Sequence, residues 1–67
     1  MTDRVWRVRK NHTWIDAQLR EGDGIVLRCY RDGQPIYVRR WPTRELALTD
    51  ADARLKELLR VGWMTHW

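Results

Sequence analysis

Sixty-seven residues, 33% charged and 43% hydrophobic, make one small domain near the lower size limit for a self-sufficient core, which excludes wholesale disorder and leaves little room for an enclosed substrate cavity. The formal net charge of +4 is unevenly placed: residues 1–44 hold ten Lys/Arg against five Asp/Glu, and residues 45–67 hold three against four. No apolar run approaches the roughly 20 residues that span a bilayer, Met-Thr-Asp-Arg is not the start of a secretory signal, and Cys29 is alone; a cytoplasmic protein with no membrane partner is expected.

Arg4 to Lys10 alternates weakly, with Trp6 and Val8 on one side and Val5, Arg7 and Arg9 on the other. Asn11-His12 makes a plausible two-residue turn, because Asn tolerates left-handed φ. Thr13 to Arg20 alternates cleanly, Ile15, Ala17 and Leu19 against Trp14, Asp16, Gln18 and Arg20. Pairing Lys10 with Thr13 sets Val8 opposite Ile15 and Trp6 opposite Ala17, so the apolar residues share a face. Glu21-Gly22-Asp23-Gly24 then forms a turn-rich connection that sets Leu19 opposite Ile25.

Ile25 to Trp41 holds two alternating runs around Asp32-Gly33, a strong type I′ hairpin signal because that turn needs positive φ at both central positions. With Arg31 facing Gln34, regular alternation pairs Cys29 with Ile36 and Leu27 with Val38 on an apolar face. Arg28 then meets Tyr37, and Val26 meets Arg39, on the other. Pro35 has no N–H and suits an edge strand. Pro42-Thr43 ends the sheet, and Thr43 is a good N-cap for a helix running to about Val61. Ala47, Leu48, Ala51, Leu55, Leu58 and Leu59 recur at helical spacing as one stripe, with Asp50–Arg54 and Asp52–Lys56 as i,i+4 pairs on the other side. Gly62 fits the left-handed C′ position, with Trp63 at C″ packing on Leu58. Trp63, Met64 and Trp67 are expected to fold back on the core or the sheet edge.

The expected fold is α+β: a four-stranded antiparallel meander sheet packed on one face by a single C-terminal helix (ββββα). It forms one domain, 1–67, with strands at about 4–10, 13–20, 25–31 and 35–41 and the helix at about 44–61. One helix covers one side of a sheet, so the other side is open. By parity, Arg7, Arg9, Trp14, Arg28, Tyr30, Tyr37, Arg39 and Trp41 stand there as candidate binding residues. Guanidinium groups pair with phosphates and flat rings stack on exposed bases, which points to a nucleic-acid-binding module. The same residue types are enriched at protein–protein hot spots, so a protein partner remains open: a homodimer through the sheet or edge strand, or a small adaptor or phage-type inhibitor. A merely structural face is the third reading, with Arg9 over Trp14 as a cation–π pair and Arg7–Asp16–Arg28 as a charge ladder. The excess of Arg over Lys also fits a genome rich in Arg codons.

Arg40-Trp41-Pro42-Thr43-Arg44-Glu45-Leu46-Ala47, following a hairpin with a Gly turn, resembles the last-strand-to-helix junction of the AP2-like, arm-type DNA-binding domains of integrases. The match covers about Gly24 to Leu59, and the extra first strand departs from that family's three-stranded sheet. The resemblance implies DNA read through the sheet, with Arg28, Tyr30, Tyr37, Arg39 and Trp41 as contacts. The ββββα order is similar instead to the Pur-alpha and Whirly repeats, which bind single strands.

Enzymatic chemistry is not expected. The chain has no Ser for a Ser-based triad. Cys29 falls on the core side, where a thiol behaves as a small hydrophobe. Cys29, His12 and His66 lack metal-ligand spacing, Asp16 and Asp23 form no evident carboxylate pair, and no Gly-rich loop has a phosphate-cradling pattern. No cofactor is implied.

Overall fold

The computed structural model describes residues 2–65; Met1, His66 and Trp67 lie outside the described residues. The elements in chain order are β1 (Thr2–Lys10), β2 (Thr13–Gly22), β3 (Gly24–Arg31), β4 (Gln34–Trp41), α1 (Arg44–Arg60) and β5 (Met64–Thr65). They form one antiparallel sheet in the order β4-β3-β2-β1-β5, with α1 across one face. The expected α+β meander is present with one addition. Trp63 packs against the core, and the chain beyond it pairs Met64 with Arg9 and Thr65 with Val8 as a fifth short strand.

The two hairpin turns follow from their residues. Asn11 has φ 57°, Asp32 φ 50° and Gly33 φ 84°, left-handed values that Asn, Asp and Gly accept most readily. They set Lys10 against Thr13 and Arg31 against Gln34, and Val8–Ile15 and Trp6–Ala17 pair as expected. Asp32 also ties its turn to β2: its N–H donates to the Trp14 carbonyl at 3.0 Å, and its Oδ1 accepts from the Trp14 N–H at 3.0 Å. Asp32→Ala loses that side-chain bond and strains a left-handed residue, so it is expected to cost about 2 kcal/mol, with Asp32→Asn costing less than half of that. Urea denaturation checks this, and an unchanged midpoint for Asp32→Ala rejects it.

The connection between β2 and β3 is tighter than expected. Gly22 pairs with Gly24 around Asp23, so Leu19 meets Leu27 and not Ile25. The shift is two residues, so every side chain keeps its face and only the cross-strand rows change.

Two bulges have larger effects. Between β3 and β4, Tyr30 pairs with Pro35 and Cys29 pairs with Tyr37, leaving Ile36 as the extra residue. One inserted residue inverts the parity of everything after it. Leu27 therefore meets Arg39 and Ile25 meets Trp41, correcting the expected Cys29–Ile36 and Leu27–Val38 pairs. Tyr37, Arg39 and Trp41 turn to the helix side, while Val38 and Arg40 turn to the open side. In β1, the irregularity between Arg4 and Trp6 makes Val5 the extra residue and sets Arg4 opposite Gln18 and Asp3 opposite Leu19. Arg4 thus takes the open-face place expected of Val5.

The core lies between the sheet and α1: Trp6, Val8, Ile15, Ala17, Leu19, Leu27 and Cys29 from the sheet, Ala47 and Ala51 from the helix. These alanines have no side chain beyond Cβ, so the helix lies close to the sheet, and the Trp6 Nε1–H donates to the Ala51 carbonyl at 2.8 Å. The apolar stripe is narrower than its periodicity suggests. Leu55 and Leu58 are half-buried, whereas Leu48 and Leu59, on one flank, are 37% and 41% exposed.

Both helix ends are tied down. Thr43 Oγ1 accepts from the Leu46 N–H at 3.2 Å, as an N-cap should. At the other end Gly62, at φ 104°, donates to the Leu59 carbonyl and Trp63 to the Leu58 carbonyl, which is the Schellman pattern. Arg44 reaches Glu21 at 2.8 Å and Asp3 at 3.6 Å, and Lys10 Nζ donates to the Val61 carbonyl at 3.0 Å. No helix among the described residues is long and apolar enough to cross a membrane.

Candidate nucleic-acid interface

The open face reads as cross-strand rows. Arg9 and Trp14 form the first row. Arg7, Asp16, Tyr30 and Pro35 form the second, and Arg4, Gln18, Arg28 and Val38 the third. Thr2, Arg20, Val26 and Arg40 form the last. Within these rows six arginines share the face with one carboxylate, Asp16, while Glu21 and Asp23 border it at the β2–β3 turn. Among the described residues none of the six is in an ion pair, whereas Arg44, Arg54 and Arg60 each are.

Of the eight candidate residues, Arg7, Arg9, Trp14, Arg28 and Tyr30 stand on this face. Tyr37, Arg39 and Trp41 do not; the Ile36 bulge places them against α1. Arg4, Arg20 and Arg40 are on the face and were absent from the candidate set. Arg20 was legible from the alternation of β2, but Arg4 and Arg40 depend on the two bulges.

The ring of Trp14 is already engaged. The Arg7 guanidinium lies 4.2 Å from its centroid and that of Arg9 5.2 Å, so the expected cation–π pair is present and is doubled. Arg9 Nε also donates to the Asn11 carbonyl at 2.9 Å. The expected Arg7–Asp16–Arg28 ladder does not form: Asp16 accepts instead from Gln18 Nε2 at 3.0 Å, and Arg28 pairs with Gln18. Guanidinium groups covering Trp14 present positive charge where a bare ring would present a stacking surface. Tyr30 is the other half-buried aromatic ring of the face.

The displaced trio builds a polar clamp on the covered side. Asp50 of α1 accepts from the Tyr37 hydroxyl at 2.7 Å and from Trp41 Nε1 at 3.1 Å, and Arg54 Nε lies 3.3 Å from its other oxygen. The Arg54 guanidinium sits 3.4 Å from the Tyr37 ring centroid, and that of Arg39 4.0 Å from the Trp41 ring. Burial pushes the Asp50 carboxyl up, but the bonds from Tyr37 and Trp41, with the charges of Arg54 and Arg39, outweigh it and hold the group below its ordinary value. The Asp50–Arg54 pair thus belongs to the helix–β4 contact and not to the outer face. Asp52–Lys56, at 2.9 Å, is on the outer face as expected.

An apolar cleft of about 160 Å³ opens beside this clamp, lined by Trp6, Ile15, Cys29, Ile36, Tyr37 and Leu58 among others. Burial pushes the Cys29 thiol up to about 11, only partly offset by the Arg54 charge, so it is protonated at neutral pH. Among the described residues no three His, Cys, Asp or Glu side chains gather as metal ligands. No protein-family model, curated protein or solved structure matches the chain.

Proposed function

We propose that the open sheet face binds nucleic acid, chiefly through the phosphate backbone. The observation that carries this reading is the set of six arginines around one carboxylate within its rows, none of the six held in an ion pair among the described residues. A guanidinium without a protein carboxylate keeps its fork of donors for a phosphate. Arg7 and Arg9 over Trp14 shift the balance from base stacking toward backbone contact, and Tyr30 supplies one ring for an unpaired base. The likeness of the β4–α1 junction to arm-type DNA-binding domains supports the same use of a sheet. Of the contacts that likeness implies, Arg28 and Tyr30 are on the open face.

A titration of fluorescent single- and double-stranded oligonucleotides tests the proposal. Binding at low salt is expected, weakening about a thousandfold between about 50 and 200 mM salt if six phosphates are neutralised in duplex DNA, and somewhat less for single strands. Absence of binding at low salt, or binding indifferent to salt, rejects it.

A protein partner is the second reading, favoured by Ile36 and Val38, which are 53% and 56% exposed on the edge strand β4. Edge strands pair with other chains. Light scattering on the pure protein separates self-association from a monomer.

A further inference from the structure

We infer that the cleft beside the β2–β3 turn, walled by Arg20, Arg28 and Arg40, is a discrete phosphate-binding site. It is the point on the face where one backbone phosphate is held by several guanidinium groups at once. This rests on the reading above for its biological ligand but not for its chemistry.

Register brings the three together. Arg20 and Arg40 both pair with Val26, from β2 and β4, so their Cα atoms lie about 10 Å apart across β3. Arg28 follows Val26 by two residues on the same strand and face, about 7 Å along. Val26 has a short side chain, leaving a cleft of about 240 Å³ between the longer ones, against about 30 Å³ for a single water.

One detail points to a ligand. Arg28 lines this cleft, and its Nε, like those of Arg7 and Arg54 outside the cleft, is shielded from solvent with no hydrogen-bond partner among the described residues. A buried donor without an acceptor is costly, and a phosphate oxygen would supply one. The backbone beside Arg40 leaves its stem room. Its Cγ and Cδ would lie 3.6 Å from a Cβ at Gly24, a residue at φ 101° where side chains are disfavoured anyway. Glu21 and Asp23 also border the cleft. Glu21 is engaged by Arg44 on the covered side, which leaves Asp23 as the carboxylate competing with an anion.

The test is a titration with inorganic phosphate, read by NMR of the arginine Nε–Hε groups, with chloride at equal ionic strength as the reference. Saturable shifts confined to Arg20, Arg28 and Arg40 are expected. Equal, unsaturating drift at Arg4, Arg7 and Arg9 overturns the site. Arg28→Lys keeps the charge and loses the fork, so phosphate should bind about five- to tenfold more weakly. Arg4→Lys should change nothing and Asp23→Asn should tighten binding. Arg28→Lys binding as well as wild type overturns the site, and Arg20→Lys repeats the measurement should the first variant fail to fold.

An oligonucleotide arm separates this inference from the broader reading. Arg28→Ala should reduce the salt slope of oligonucleotide binding by about one. Oligonucleotide binding by Arg28→Ala with unchanged affinity and slope overturns the cleft and leaves the face reading standing. Saturable phosphate binding without any oligonucleotide binding supports the cleft and removes nucleic acid as its ligand.

Discussion

Trp6→Ala is expected to destabilise the domain by about 3–5 kcal/mol, the usual cost of emptying a buried aromatic position. Trp6 is 2% exposed, in contact with both layers of the core. Its indole also satisfies the Ala51 carbonyl of the helix packed against it. A chain of this length has a total stability of about 3–10 kcal/mol, so the variant should lose from about a third to all of it. Circular dichroism with urea titration reads this directly. Trp6→Phe keeps most of the volume and loses the indole bond to the Ala51 carbonyl, which keeps its place in the α1 backbone ladder, so its cost is about 1–2 kcal/mol. A wild-type midpoint for Trp6→Ala would show that the helix does not depend on this contact.

Asp50→Ala is the second large effect, at about 3 kcal/mol, although no apolar surface of note is lost. The substitution strands the Tyr37 hydroxyl, Trp41 Nε1 and the Arg54 charge together, and hydrogen bonds to charged groups contribute about 1.5–3 kcal/mol each. Solvent around Arg54, 41% exposed, discounts the ionic part. The pH dependence has a definite sign. The folded carboxyl is held below its ordinary 3.8, so its contribution is fully present above that value and disappears as pH falls through the lower, folded one. Wild-type stability should therefore drop on acidification below about pH 4, and Asp50→Asn should lack that portion of the drop. Urea midpoints at neutral and acidic pH decide the matter; identical acid profiles for the two proteins would remove Asp50 from the account.

These two sites mark how far the sequence could be read. Trp6 falls on the core side by alternation alone, and its partner Ala17 follows from a two-residue turn at Asn11. Asp32-Gly33 announces its own backbone geometry. Thr43 and Gly62 bound the helix because their side chains, or lack of one, suit those end positions. In each case local chemistry decides, and the tertiary structure agrees with it.

The Asp50 clamp was not legible in the same way. Period-two alternation carries no marker for an extra residue, and a bulge costs little in the ladder while reversing the direction of every later side chain. Pro35 was the available hint, since a residue without an N–H interrupts pairing and often accompanies a bulge. Pro35 is an edge signal as well, and β4 is an edge strand of the sheet. The second hint lay on the helix: Asp50 and Arg54 flank the alanine positions, where a carboxylate facing the sheet requires donors opposite it. Tyr37 and Trp41 are those donors. The open face stays basic because the reversal that removes Arg39 from it supplies Arg40, and the Val5 bulge supplies Arg4. Its aromatic character was reduced, and with it the argument for base stacking.

The placement of Arg39 and Arg40 on β4 also bears on solubility. An eight-residue edge strand with exposed Ile36 and Val38 offers unpaired backbone groups to any neighbour, the usual opening for sheet-to-sheet growth. A second copy adding antiparallel to β4, centred on Arg39–Arg40, would set Arg39 of one copy opposite Arg40 of the other, a pair of like charges on each face. A register slid toward Pro35 would meet a residue with no N–H to share. Opposed like charges and a missing donor are recognised ways of blunting an edge. Arg40, a wall of the proposed phosphate cleft, is thus also one of the charges that a second copy pairing with this edge would have to oppose.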